Sequence, residues 1–204
     1  MYSKTSQNAH RSSADAEALF VIAEAQRGYF TTAQAAEAGY SRNLVAHHAK
    51  AGNFSRVRQG VYRLSRFPSS PREDLYVAWL SAGPLAVVSH DSALELFGLS
   101  DAIPRDTHIT MPRGSSRRRP GIRMHTSVLA AEDVTRREGL PVTTAVRTIA
   151  DLARVGFPTE HLQRAVSEAL ERGMVTEEQL ARQSSLRGGR LARLLSPLLE
   201  ERKR

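Results

Sequence analysis

The 204-residue chain contains no cysteine. Disulfides, thiolate zinc centres and cysteine nucleophiles are therefore excluded, and the composition suits a reducing cytosol. Long apolar runs are also missing. The hydrophobic segments are short and interrupted, so no membrane-spanning helix is predicted. Residues 1–18 are polar and lack an apolar h-region, so no signal peptide is expected. These absences set the expectation of a cytoplasmic protein. Lysine is scarce, occurring only at Lys4, Lys50 and Lys203, although Lys and Arg together number 29. The positive charge is thus almost wholly arginine, whose forked donors suit phosphate and guanine. GC-rich coding also yields Arg- and Ala-rich chains.

The formal net charge is +8, with an ordinary 41% of hydrophobic residues, enough for a folded core. The length leaves room for one large or two small domains. Charge is spread unevenly. Residues 1–70 carry nine Lys/Arg against four Asp/Glu, net +5, and residues 71–204 carry twenty against seventeen, net +3. The smaller segment is the more basic, the direction expected if it binds nucleic acid.

Residues 1–12 are polar and read as a disordered tail. A compact N-terminal domain is predicted over 13–67. It opens with an amphipathic helix over 14–26 bearing Ala16, Leu19, Phe20 and Ala23 at helical spacing. Thr31 and Gln34 fit a capping box, Gly39 is placed as a C-cap, and Ser41 caps a helix from Arg42 to about Ala51, stopped by Gly52. Residues 54–64 read as two strands around a Gln59-Gly60 turn. This order is that of a winged helix-turn-helix, which places one helix in the major groove and a basic hairpin beside it. Residues 67–71, FPSSP, have linker composition. Residues 72–204 are predicted as a second, mixed domain with a small sheet and several helices. Helices are expected over 72–81, 89–96, 144–154, 159–172 and 176–182, and strands over 85–88, 108–111, 122–126 and 134–138. From Leu186 onward the chain reads as a docked helix or a frayed end. Strands and helices do not alternate regularly, so the fold class is α+β.

On a helical wheel of about 100° per residue, Leu44, Val45, His48 and Ala51 share one side. Arg42, Asn43, Ala46, His47 and Lys50 share the other. Arg42 suits guanine and Asn43 adenine; small Ala46 lets the helix sit deep. His47 is a DNA-contact candidate, whereas His48 reads as a packed core residue. Arg56, Arg58 and Arg63 alternate with Val57, Val61 and Leu64, so one hairpin face is expected to pack while the arginines reach phosphate or the minor groove. The competing reading is a solvated strand face. The candidate DNA-binding set is therefore Ser41, Arg42, Asn43, His47, Lys50, Arg56, Arg58, Gln59 and Arg63. Arg113, Arg117, Arg118 and Arg119 form the densest charge run, read as a loop for phosphates or an acidic partner, or as a solvated loop.

Catalysis is not expected. His90, Asp91 and Ser92 are adjacent and point in different directions, so they form no relay; Ser89 reads as a helix cap. His108 and His125 fall on strand candidates where cross-strand packing is the default. No phosphate-cradling glycine motif or metal-spaced His/Asp cluster is evident, so no metal and no cofactor is predicted. A nuclease needs carboxylates and a lysine on an ordered core. The one Glu-x-Lys spacing, Glu201-Arg202-Lys203, lies three residues from the end, and the chain is expected to stop before any nuclease domain.

The segments FTTAQAAEAGYSRNLVAHHAKAGNFSRVRQGVYRL, SHDSALELFGLSD, HITMPRG and GLPVTTAVRTIADLA, in that order, resemble the AbiEi-like antitoxins and regulators of type IV toxin–antitoxin systems. The likeness spans roughly residues 14–182. It implies a winged helix that represses its own operon at promoter inverted repeats, and an α+β domain that counteracts a nucleotidyltransferase-like toxin without a stable complex. It also implies that Arg42, Asn43, His47 and Lys50 take the recognition-helix role, and Arg56, Arg58 and Arg63 the wing role. The partners expected are double-stranded DNA and such a toxin, with no membrane. The alternative is a protein-binding antitoxin or adaptor whose winged helix is merely structural.

Overall fold

The computed structural model describes residues 14–100, 104–112, 119–187 and 189–201. The chain divides into two compact units, Met1–Pro71 and Arg72–Arg204.

In the first unit, α1 (Ala16–Glu24) starts where the Asp15 carboxylate accepts the Ala18 amide at 2.9 Å. Leu19 and Ala23 are buried, while Ala16 faces solvent. Strand β1 (Tyr29–Thr31) leads into α2 (Thr32–Glu37), and Thr31 and Gln34 form a reciprocal capping box. Gly39 adopts φ 81°. The Tyr40 amide then bonds back to the Ala35 carbonyl at 2.8 Å, closing α2 and turning the chain. Helix α3 (Arg42–Lys50) follows under the Ser41 cap. Strands β2 (Phe54–Arg58) and β3 (Val61–Leu64) complete a three-stranded sheet of order β1-β3-β2. Strand β1 was not anticipated. It makes β3 a central strand rather than half of an isolated hairpin.

Leu19, Ala23, Phe30, Ala35, Val45, Phe54 and Leu64 form the core of this unit, with Phe20, Leu44, Tyr62 and Phe67 packed against it. The segment expected to be a linker is partly engaged. Phe67 stacks obliquely on Phe20 at 5.8 Å, and the Ser70 amide donates to the Tyr29 hydroxyl at 3.1 Å. Gly28, at φ 92°, lies under Phe67 so closely that a Cβ there would come within 2.5 Å of the ring's Cγ.

The second unit carries a five-stranded sheet of order β6-β5-β4-β8-β7. Its strands are β4 (Val87–Val88), β5 (Thr107–Met111), β6 (Ile122–Thr126), β7 (Val134–Arg137) and β8 (Leu140–Thr143). The pairs β4–β8 and β5–β6 are parallel, and β4–β5 and β7–β8 antiparallel. Helix α4 (Glu73–Ala82) packs on β4 and β5, and α5 (His90–Leu96) on β5 and β8. Helix α6 (Ala145–Val155) is the hub, meeting α5, α7 (Thr159–Glu171), α8 (Glu177–Arg187) and α9 (Gly189–Glu201). The tail is thus a docked helix: Leu191, Leu194 and Leu195 are buried at helical spacing. The architecture is α+β, a winged helix-turn-helix followed by a mixed domain.

One buried polar network holds the second unit together. The Arg147 side chain is fully enclosed. Its guanidinium donates to Asp133, to Asp151 Oδ2 at 2.8 Å and to Ser127 Oγ at 2.9 Å. A charge taken out of water survives only when its donors are matched in this way.

Candidate nucleic-acid interface

Helix α3 is placed by its apolar side. Val45 is buried, with Leu44 and Ala49 packed against the same core. His48 is half-buried, its ring stacked on Phe54 at 4.9 Å and its Nδ1 3.2 Å from the Asn53 amide nitrogen. Those contacts leave Ser41, Arg42, Asn43, Ala46, His47 and Lys50 exposed. Ala51, expected on the packed side, is exposed at the C-cap, and Ala49 takes its place. The helix ends there because Gly52 adopts φ 80°. Ser41 Oγ accepts the Leu44 amide at 3.2 Å, so its hydroxyl oxygen already serves the helix start. Among the described residues, no carboxylate pairs with Arg42, Lys50 or Arg56.

The hairpin departs from simple alternation. A β-bulge lies between Arg56 and Arg58, so the extra residue shifts the phase of the strand end. Arg56 faces Tyr62, and Ser55 faces Arg63 on the next rung. Cross-strand partners share a face, so Arg56 and Arg63 point to opposite faces. The expected row of three arginines is therefore not formed. Arg63, on the central strand, donates from Nη1 to the Phe67 carbonyl. Arg56 is exposed and Arg58 half-buried. Gln59 is exposed at the turn, which Gly60 makes at φ 78°. The Gly60 carbonyl accepts the Thr32 amide at 3.0 Å and so ties the turn to the start of α2. The structure brings Arg42, Asn43, His47 and Lys50 to one helix face beside β2, with Arg56 on that strand.

Arg113, Arg117 and Arg118 lie outside the described residues. Arg119 is half-buried, its backbone bridging Ile122. In the second unit, Ser89 does not cap α5 with its side chain; its hydroxyl lies 3.0 Å from His90 Nδ1 instead. Sequence spacing also missed a cluster. His90, His108 and His125 come together, one ring nitrogen of each within 4.8 Å of the others, where no metal-spaced group was expected. They lie on three elements, and no local motif announces them.

No helix among the described residues is long and apolar enough to cross a membrane. A search among curated proteins finds no match. The fold resembles that in the crystal structure of the RV2827C protein from Mycobacterium tuberculosis, with a TM-score of 0.56 at 17% identity, covering 89% of this chain and 74% of that one. Residues 17–65 match a family model described as a transcriptional regulator, AbiEi antitoxin. Residues 85–201, more than half of the chain, match the AbiEi antitoxin C-terminal domain. With the winged helix and the mixed C-terminal unit in that order, the chain belongs to the AbiEi antitoxin family and is an antitoxin with a regulatory role.

Proposed function

We propose that this protein is a sequence-specific DNA-binding autorepressor, the antitoxin of a toxin–antitoxin operon whose promoter inverted repeats it occupies. The observation that carries the reading is the solvent-facing side of α3. Arg42, Asn43, His47 and Lys50 are exposed there, and a buried opposite side fixes their direction. Arg42 is suited to guanine O6 and N7 and Asn43 to adenine N6 and N7, each good bidentate pair contributing about 1–3 kcal/mol of discrimination. Lys50, Arg56, Arg58 and the Gln59 turn supply phosphate contacts, and Ser41 orders the helix that carries the readers. Arg63 is the weakest member of the set, because its guanidinium bonds within the unit. Arg119, with Arg113, Arg117 and Arg118 close to it in sequence, adds positive charge for DNA or an acidic partner.

The C-terminal unit is assigned to counteracting a nucleotidyltransferase-like toxin without a lasting complex, and the protein to a non-enzymatic, cytoplasmic role. Mobility shift and footprinting on the protein's own promoter test the reading. A salt-sensitive complex with protected inverted repeats is expected, weakened by Arg42→Ala and by Lys50→Ala. A complex indifferent to both substitutions would overturn it. Toxin neutralisation by residues 72–204 alone, with no promoter complex, would favour a purely protein-binding antitoxin.

A further inference from the structure

We propose that His90, His108 and His125 form a binding site for one divalent transition-metal ion of the zinc class, completed by the Asp91 carboxylate that sits beside His108. His125 Nε2 lies 3.3 Å from His108 Nδ1, and Asp91 Oδ2 lies 3.0 Å from the same nitrogen. Two donors on one tetrahedral ion with bonds of about 2.0–2.1 Å are themselves about 3.3 Å apart. Both contacts are hydrogen bonds to His108 Nδ1 in the metal-free protein, and each pair is separated by the distance that two ligands of one ion have.

His90 supplies an independent observation. The residue is 1% exposed, and its Nε2 is buried with no hydrogen-bond partner. An unsatisfied buried polar atom costs about 1–3 kcal/mol. Its Nδ1 lies 3.0 Å from Ser89 Oγ, which also accepts from Thr110 Oγ1 at 2.8 Å. In the tautomer that donates Nδ1–H to Ser89, Nε2 carries an unused lone pair, the arrangement found in metal-ligating histidines. His90 also holds φ 51°, a left-handed conformation costly for a residue with a Cβ. The strain sets its ring at the head of α5, beside the other two.

The supporting frame is fixed by backbone bonds. The Ser89 amide donates to the His108 carbonyl at 3.0 Å, and the His108 amide to Ser92 Oγ at 2.9 Å. His125 arrives from β6 opposite Thr110, two residues beyond His108, so both rings lie on one face of the β5–β6 pair. Burial, reinforced by His125 and His108, lowers the pKa of His90 from 6.5 to about 3. Burial, reinforced by His108 and Arg123, lowers that of His125 to about 4. Arg123 and Arg154 oppose a cation here; Asp91 supplies the balancing negative charge.

One rearrangement is required. His90 and His125 stack at 3.6 Å with 11° between their planes. Parallel rings cannot both aim in-plane lone pairs at one ion, so one must turn. His125, half-buried on an edge strand, is the ring assigned to tilt, about its Nε2, so that this atom keeps its place beside His108 Nδ1. With no cysteine in the chain, the donors are imidazole and carboxylate, which suits Zn²⁺ and its neighbours rather than thiophilic Cu⁺.

The test uses the full chain, stripped of metal with a chelator and titrated at neutral pH with Zn²⁺ by calorimetry and with Co²⁺ by visible absorption. We expect one ion per chain, the intense d–d bands of tetrahedral Co²⁺, and a melting temperature raised by Zn²⁺. His125→Gln and His90→Gln should each weaken binding at least about tenfold, with the remote His161→Gln unchanged. Absence of saturable binding to the unaltered chain, or equal binding by a folded His125→Gln, would overturn the proposal. Should both histidine variants fail to fold by circular dichroism, folded Asp91→Asn decides: weakened or altered Co²⁺ bands support the site, and unchanged bands overturn it.

Discussion

Arginine does opposite work in the two units. In the first, Arg42 and Arg56 stand exposed, with no carboxylate partner among the described residues. In the second, Arg147 is sealed between Asp133 and Asp151, Arg72 bridges Glu95 and Glu138, and Arg172 holds Glu168 together with the Phe97 and Gly98 carbonyls. The net charge follows: +5 on residues 1–70 and +3 on the nearly twofold longer remainder. The helix α3 and strand β2 of the first unit hold Arg42 and Arg56 open to an outside anion, whereas Arg147, Arg72 and Arg172 of the second serve as internal ties. A count of basic residues alone would have ranked the second unit higher.

The sharpest way to break this contrast is Arg147→Ala. Removing one partner of a buried pair typically costs about 3–5 kcal/mol. We expect a loss of that size in the urea or thermal unfolding of the second unit; a loss below about 1 kcal/mol would place Arg147 with ordinary surface arginines. Next is Arg42→Ala. It should cost about 1–3 kcal/mol of discrimination at one operator base pair, read by competition binding, and less than about 0.5 kcal/mol of stability. Ser41→Ala should lower the stability of the first unit by about 1 kcal/mol through its lost cap, weakening DNA binding only as far as α3 frays. The smallest effect belongs to Arg56→Ala. It should lower the slope of log affinity against log salt by about 0.9 and weaken all sequences alike. A sequence-dependent loss there would make the strand a reader rather than a clamp.

Much of the fold was legible because its signals are local. The Thr31–Gln34 capping box is formed. Strand β6 spans Ile122–Thr126, the expected residues. The wheel of α3 separated His48 from His47 because a buried Val45 and an N-terminal cap leave the helix one way to sit. What was missed depended on partners distant in sequence. Strand β1 has three residues, too few for alternation to show, and exists because β3 pairs with it. Strand β8 contains Pro141, which argues against a strand inside a sheet; its Val142 nonetheless pairs with Val88 on one side and Thr135 on the other. Gly188, Gly189 and Pro197 left the tail open between a docked helix and a frayed end, and the first reading is the one found, as α9. The opposed directions of Arg56 and Arg63 follow from register, and the bulge that rephases Arg58 leaves no mark in composition. The histidine cluster joins residues on α5, β5 and β6, and only the sheet order brings them together.

The strap after β3 has a practical consequence. Phe67 covers Gly28 and Phe20, Arg66 lies 4.0 Å over the Phe20 ring, and Ser70 is held by Tyr29. A fragment ended at Leu64 would retain every strand and every candidate DNA contact in this unit, yet expose an aromatic seam on α1. A fragment carried on to Ser70, past residue 65 where the family match of this region stops, is therefore expected to melt higher than one ended at Leu64. Any side chain larger than hydrogen at position 28 would lever the strap off its seat, so an alanine there should mimic the truncation in an otherwise intact chain.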